Sequence, residues 1–283
     1  MDIYYIDDQF VPANKASIPV NDLALLRGYG VFDLIRTYTG SPLLLKEHLH
    51  RLERSACEIG LSLPWSQEEL TQIVLQTLEK NNHVESNIRI IVTGGPSIDF
   101  ITPQGHPRLL VLVTPVPTLP EWWFTRGIKA ITVFVERSLP MAKSINYLPA
   151  TIALNEARSK GAVEAVYIDR NGYIREGATS NLFAFFGDQL VTPGEKILPG
   201  ITRQFVLRIT EEIFDSEIRE ISKEELLTAD EVFITGSGKG IVPVVQVDDA
   251  TIGSGKPGQR TLRIIKCLKE YTEKNHQRVV DSE

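Results

Sequence analysis

Apolar and polar residues alternate from Ile3 to Phe10, and apolar enrichment returns over Gly30–Tyr38, Ile88–Thr93 and Leu109–Thr114. A period of two sends successive side chains to opposite faces, so these stretches predict β-strands. Between them the period lengthens. Leu49, Leu52, Ala56 and Ile59 recur at helical spacing, which predicts a helix over about Lys46–Gly60, with Gly60 as its C-cap and Arg51 off the apolar stripe. Ser66-Gln-Glu-Glu69 has the form of a capping box, in which each end's side chain satisfies a backbone N–H of the other. It opens a second helix that should run to about Asn81.

Thr114 to Pro120 holds three prolines in seven residues, which sustain neither a helix nor a central strand. The expected organisation is a small N-terminal α/β domain over residues 1–115, a linker over 116–122 and a larger C-terminal domain over 123–283. Beyond the linker, Ile128–Val135, Ala165–Ile168, Tyr173–Glu176, Leu182–Phe186 and Glu231–Thr235 read as strands. Pro149–Lys160, a segment from Ile201, a short piece after the capping box Ser222–Glu225, and Thr261–Lys274 read as helices. Asn171-Gly172 marks a tight turn between strands. Strands and helices mix in both halves, so the fold class is α/β (α+β) in two domains.

With 283 residues, 42% of them hydrophobic, the chain can bury a core in each domain without disulfides. A net charge of −6 and the absence of a Lys/Arg block argue against nucleic acid as a partner. Cys57 and Cys267 form no C-x-x-C pair, the first residues are acidic, and no apolar run approaches the roughly 20 residues of a membrane span. A cytoplasmic protein is expected. The chain has no H-E-x-x-H, no G-x-S-x-G and no His cluster with metal spacing, so no metal is expected. His48 and His50 are expected to be ordinary exposed residues.

Two stretches could hold an anion. Gly236-Ser-Gly-Lys-Gly240 is a glycine-rich turn after a strand but lacks the leading glycine of a Walker A loop, since position 233 is Phe. Gly200-Ile-Thr-Arg203 opens a helix whose first N–H groups point outward. Together they invite a phosphorylated cofactor without identifying it.

The order of Lys143 (in Met141-Ala-Lys-Ser-Ile-Asn-Tyr-Leu148), Glu176-Gly-Ala-Thr-Ser-Asn181, Leu198-Pro-Gly-Ile-Thr202 and then the Gly-Ser turn resembles the signature of fold type IV pyridoxal-phosphate enzymes. That group contains branched-chain aminotransferases, D-amino acid transaminases and aminodeoxychorismate lyase. The resemblance covers most of the chain. It implies pyridoxal 5'-phosphate as cofactor, Lys143 as the lysine that binds it covalently and carries the proton, and Glu176 as the partner of the pyridine nitrogen. It further implies Arg51, Ile201, Thr202 and Ser237 as the phosphate site, Tyr147 near the cofactor's phenolic oxygen, and a structural role for Asn181. A homodimer with the active site at the subunit interface follows from the same resemblance.

The substrate is read from carboxylate anchors, for which arginine is suited by its two parallel N–H bonds. D-amino acid transaminases place an Arg-x-His trap in a loop that corresponds to Gly94–Pro103, which here contains neither residue. Arg89 resembles the active-site arginine of branched-chain enzymes, but their Thr-Ala turn is replaced by Gly238-Lys239, and Arg27 stands where they have a substrate-side tyrosine. The expectation is a clamp of Arg27 and Arg89 from two protomers, favouring D-amino acids with a 2-oxo acid such as 2-oxoglutarate or pyruvate. An L-branched-chain aminotransferase, an aminodeoxychorismate-type lyase, an (R)-amine transaminase and a non-catalytic phosphate-binding regulator remain the alternatives.

Overall fold

The structure, a computed structural model, describes the backbone of residues 1–280 and the side chains of residues 1–273. Among these, the chain divides into two compact units. The first comprises Met1–Pro117 and Met141–Asn146, and the second Thr118–Pro140 and Tyr147–Lys274. The chain therefore re-enters the first unit after the proline-rich stretch, which a single boundary at that stretch does not capture.

The first unit is an antiparallel sheet in the order Gln9–Pro12, Ile3–Ile6, Arg108–Pro115, Ser86–Thr93, Gly30–Tyr38, Ser41–Pro42. Along Gly30–Tyr38, Val31, Asp33, Ile35 and Thr37 are buried while Phe32, Leu34, Arg36 and Tyr38 are half-buried, as a period of two requires. The buried face packs Val31, Ile35, Ile88, Ile90 and Val92 against Leu49, Leu52 and Val74 of the helices Leu45–Glu58 and Gln67–Glu79. The second helix carries the expected capping box, with Ser66 and Glu69 exchanging bonds of 3.1 and 2.7 Å. The first ends where Gly60 takes φ +68°, with Gly60 N–H bonding Cys57 O and Leu61 N–H bonding Ala56 O. That left-handed position explains the glycine.

The second unit is built on a mixed sheet in the order Asp215–Ile218, Gln189–Thr192, Asn181–Phe186, Glu231–Gly236, Gly240–Val247, Ile128–Phe134, Glu164–Ile168, Tyr173–Gly177, Ile221–Ser222. Of its parallel neighbours, Ile128–Phe134 and Glu164–Ile168 are joined by a long connection that carries first Met141–Asn146 and then the helix Leu148–Ser159. Glu164–Tyr167 is buried throughout, a run covered on both faces. The last helix, Gln259–Val280, begins two residues before the expected start.

Candidate active site

In the first unit, Met141–Asn146 lies along the start of the Gly30–Tyr38 strand. Phe32 N–H donates to Lys143 O at 2.9 Å and Ile145 N–H to Gly30 O at 3.0 Å, with a bridge between Val31 and Ser144. Lys143 N–H donates to the hydroxyl of buried Ser55 at 3.0 Å. These bonds fix the backbone of Lys143, and its Nζ stands 4.7 Å from the centre of the Phe32 ring. The guanidinium of exposed Arg89 stands 5.7 Å from the centre of the same ring. Register explains this: Leu34 faces Arg89 and Phe32 faces Ile91, so Arg89 and Phe32 share the face of the sheet away from the helices.

On the opposite face the helix Leu45–Glu58 directs His48, Arg51 and Ser55, spaced three and four apart, toward the sheet. This corrects two expectations. His48 is buried, not exposed, and Arg51 is buried with the apolar stripe. Their partner is Asp33, fully buried at a core position of the strand, which accepts from Arg51 Nε and Nη2, each at 2.8 Å, and lies 2.6 Å from His48 Nδ1. Burial by itself would raise the Asp33 pKa, but the Arg51 charge and then His48 outweigh it, holding the carboxyl well below the usual carboxylate range. Burial dominates at His48, whose pKa falls below its ordinary value despite Asp33. Neutral His48 then donates its Nδ1–H to the carboxylate. Asp33 takes Nε and Nη2 of Arg51 and leaves Nη1 for another acceptor. Sequence reasoning missed Asp33; the signal was a lone acid at a core-facing position of an otherwise apolar alternation. Arg27, at the end of the short helix Leu23–Arg27, is exposed and bonds its own Leu26 carbonyl at 2.8 Å. Among the described residues no hydrogen bond, ion pair or ring contact joins it to Arg89.

In the second unit the strand Tyr173–Gly177 delivers Glu176, 4% exposed, beside a cavity of about 480 Å³ lined by Arg137, Tyr167, Asp169 and Arg175 among others. Glu176 Oε1 accepts from Arg137 Nη1 at 2.6 Å and Oε2 from Leu198 N–H at 2.9 Å. Burial, then the Glu176 charge, pushes the Tyr167 hydroxyl pKa up. Asn181 donates to Leu198 O at 2.9 Å, and its side-chain oxygen fills the space a Cβ on Gly200 would need. Glycine is required at 200 by this close approach. Gly200 starts the helix Ile201–Thr210 without a side-chain cap, leaving the N–H groups of Ile201 and Thr202 without helical partners. Ser237 sits in the turn between Glu231–Gly236 and Gly240–Val247, where Lys239 N–H closes on Gly236 O at 3.1 Å. Tyr147 precedes the helix Leu148–Ser159 and packs with the cluster of Tyr167, Ala150 and Ala178.

The first unit thus gathers Lys143, Arg89 and Arg51 about Phe32 and Asp33. The second gathers Glu176, Ile201 and Thr202 about Leu198 and Asn181, with Ser237 and Tyr147 on adjoining elements. The pattern of the family described as "Amino-transferase class IV" matches residues 30–247, which include every one of these and leave Arg27 outside. The chain belongs to the class IV aminotransferases. A Methanocaldococcus jannaschii protein provisionally named a branched-chain-amino-acid aminotransferase is 36% identical over 95% of this chain and 96% of its own. The D-alanine aminotransferase of Bacillus licheniformis is 33% identical over 90% and 92%. The solved branched-chain amino acid aminotransferase of Escherichia coli superposes with a TM-score of 0.88, at 31% identity over 94% of this chain and 92% of its own.

Class IV aminotransferases use pyridoxal 5'-phosphate, and a branched-chain enzyme of this fold has been solved with pyridoxamine 5'-phosphate. The residues here fit that group. An uncapped helix N-terminus and a hydroxyl-bearing turn suit a phosphate. Thr235 Oγ1, buried one strand position before that turn, has no hydrogen-bond partner among the described residues. Glu176 is a buried carboxylate already held in place by one cation and one N–H.

Proposed function

We propose that this aminotransferase moves the amino group between a D-amino acid and a 2-oxo acid such as 2-oxoglutarate or pyruvate. The observation that carries the reading is the shared ring: the Arg89 guanidinium and the Lys143 ammonium flank Phe32. A guanidinium captures a carboxylate through two parallel N–H bonds, so Arg89 anchors the substrate carboxylate beside the lysine that moves the α-proton. Arg27 of a neighbouring protomer completes the clamp, which makes the active form a homodimer. Cys57 and Cys267, both free thiols, suit a reducing cytoplasm. Among the described residues, no helix is long and apolar enough to cross a membrane.

When bound, pyridoxal phosphate supplies a ring that spreads the negative charge left on the substrate α-carbon. Glu176, fixed by Arg137 and Leu198 N–H, would keep a proton on the ring nitrogen. Arg51, the N–H groups of Ile201 and Thr202, and the Ser237 hydroxyl would serve the phosphate, and Tyr147 the phenolic oxygen. Lys143 would hold the cofactor through its Nζ and, once displaced by the substrate amine, would carry the proton taken from the substrate α-carbon. With the α-hydrogen directed at Lys143, anchoring the carboxylate at Arg89 instead of at the Ser237–Lys239 turn exchanges two substituents of the α-carbon. Exchanging two substituents inverts the configuration accepted, from L to D.

The branched-chain relatives favour a second reading, an L-branched-chain aminotransferase. The test uses PLP-loaded protein, watching the visible cofactor band as D-Ala, D-Glu, L-Leu and (R)-1-phenylethylamine are added singly without a keto acid. Bleaching by the D-amino acids alone supports the proposal, and bleaching by L-Leu alone overturns it in favour of the second. Bleaching by the amine points to an amine transaminase, and pyruvate release without an acceptor to a lyase. Arg27→Ala and Arg89→Ala should each raise KM for the amino acid; unchanged KM and turnover in both would sink the clamp.

A further inference from the structure

Lys239 lies in the turn that carries Ser237, where a lysine is free in principle to reach an anion. Its Nζ instead donates to Glu164 Oε2 at 2.8 Å and to Thr179 Oγ1 at 2.7 Å. Glu164 is fully buried on the neighbouring part of the sheet, and its Oε2 also accepts from the Thr179 and Ser180 hydroxyls, each at 2.9 Å. A carboxylate so buried requires a compensating cation, and Lys239, 16% exposed, is its ion-pair partner. The neutralised ammonium is spent on this bond. Thr179 and Ser180 stand directly before Asn181, which fastens the Leu198–Gly200 entry to the Ile201–Thr210 helix. One segment, Glu176–Asn181, therefore fixes the helix N-terminus at one end and, through Glu164 and Lys239, the Ser237 turn at the other.

We infer that Lys239 is a positioning residue that ties the Gly236–Gly240 turn to Glu164 and so sets where Ser237 holds the cofactor phosphate, without itself touching phosphate or substrate. The inference rests on the reading of Ser237, Ile201 and Thr202 as phosphate ligands. Its consequence is a sign: releasing Lys239 from Glu164 weakens phosphate binding, whereas a lysine that bound phosphate directly would gain from release.

The experiment titrates apo protein with pyridoxal 5'-phosphate and with pyridoxal, which lacks the phosphate, and takes the dissociation constant for pyridoxal divided by that for pyridoxal 5'-phosphate as the phosphate's contribution. Both Lys239→Met and Glu164→Gln should lower that ratio about tenfold, equivalent to about 1.4 kcal/mol, while Lys239→Arg keeps it near that of the unaltered protein. Thr179→Val, at an exposed position that folding tolerates, should lower it in the same direction and serves if Glu164→Gln fails to fold. A ratio that stays level or rises in Glu164→Gln or Thr179→Val overturns the inference. So does equal weakening of both ligands, which a role in folding alone would produce. Ser237→Ala in parallel separates the two failures: if it does not lower the ratio, the phosphate reading is wrong and the inference falls with it. If it lowers the ratio and Lys239→Met does not, only the inference falls.

Discussion

Asp33→Asn is the substitution whose cost follows most directly from the geometry. Asp33 is wholly buried and accepts two N–H bonds from Arg51 and one from His48. An asparagine offers one oxygen, turns an N–H toward these donors, and leaves the buried Arg51 guanidinium without a counter-charge. Breaking one side of a buried pair costs about 3–5 kcal/mol, because the remaining charge is stranded away from water. By contrast, Asp7 and Arg108 pair at the surface of the same unit, with Asp7 37% exposed, and such pairs contribute about 1 kcal/mol or less. The assay is urea unfolding followed by Trp65 fluorescence, with Trp122 and Trp123 changed to Phe so that the signal reports the first unit. With a urea dependence of about 2 kcal/mol per molar, the Asp33→Asn midpoint should drop by roughly 1.5–2.5 M and the Asp7→Asn midpoint by about 0.5 M or less. Equal shifts would refute the argument that Asp33 neutralises Arg51 in the core.

Lys143→Ala should abolish turnover, and borohydride treatment of the PLP-soaked variant should leave no covalent label at this position, as peptide mass spectrometry would show. His48 has a lowered pKa in the fold, so the unfolded chain binds its proton more readily; stability should fall as pH drops from about 7 to 5, and His48→Gln should flatten that slope in urea melts. Asp33 also has a lowered pKa, and its contribution, present above the ordinary carboxylate value near 3.8, should be lost only in stronger acid. Gly200→Ala puts a methyl where the Asn181 oxygen lies and should cost about 1–3 kcal/mol by overpacking; a neutral result in thermal melts would contradict that contact.

What the sequence determined by itself was local or ordered along the chain. Apolar enrichment marked Gly30–Tyr38 and Leu109–Thr114, the Ser66–Glu69 pair marked a helix start, Gly60 marked a helix end, and the order Lys143, Glu176, Leu198–Thr202, Ser237 marked the family. These signals arise from backbone geometry within a few residues, or from chemistry that needs particular side chains in a particular order. Tertiary structure decided the rest. His48 reads as exposed and Arg51 as off the apolar stripe until Asp33, 15 and 18 residues earlier, appears opposite them. Lys239 reads only as part of a glycine-rich turn until Glu164, 75 residues away, takes its charge. Met141–Asn146 reads as part of the second half until its hydrogen bonds place it along Gly30–Phe32. In each case the deciding partner is distant in sequence, so no periodicity records it, and a buried charge is stable only because the fold supplies that partner.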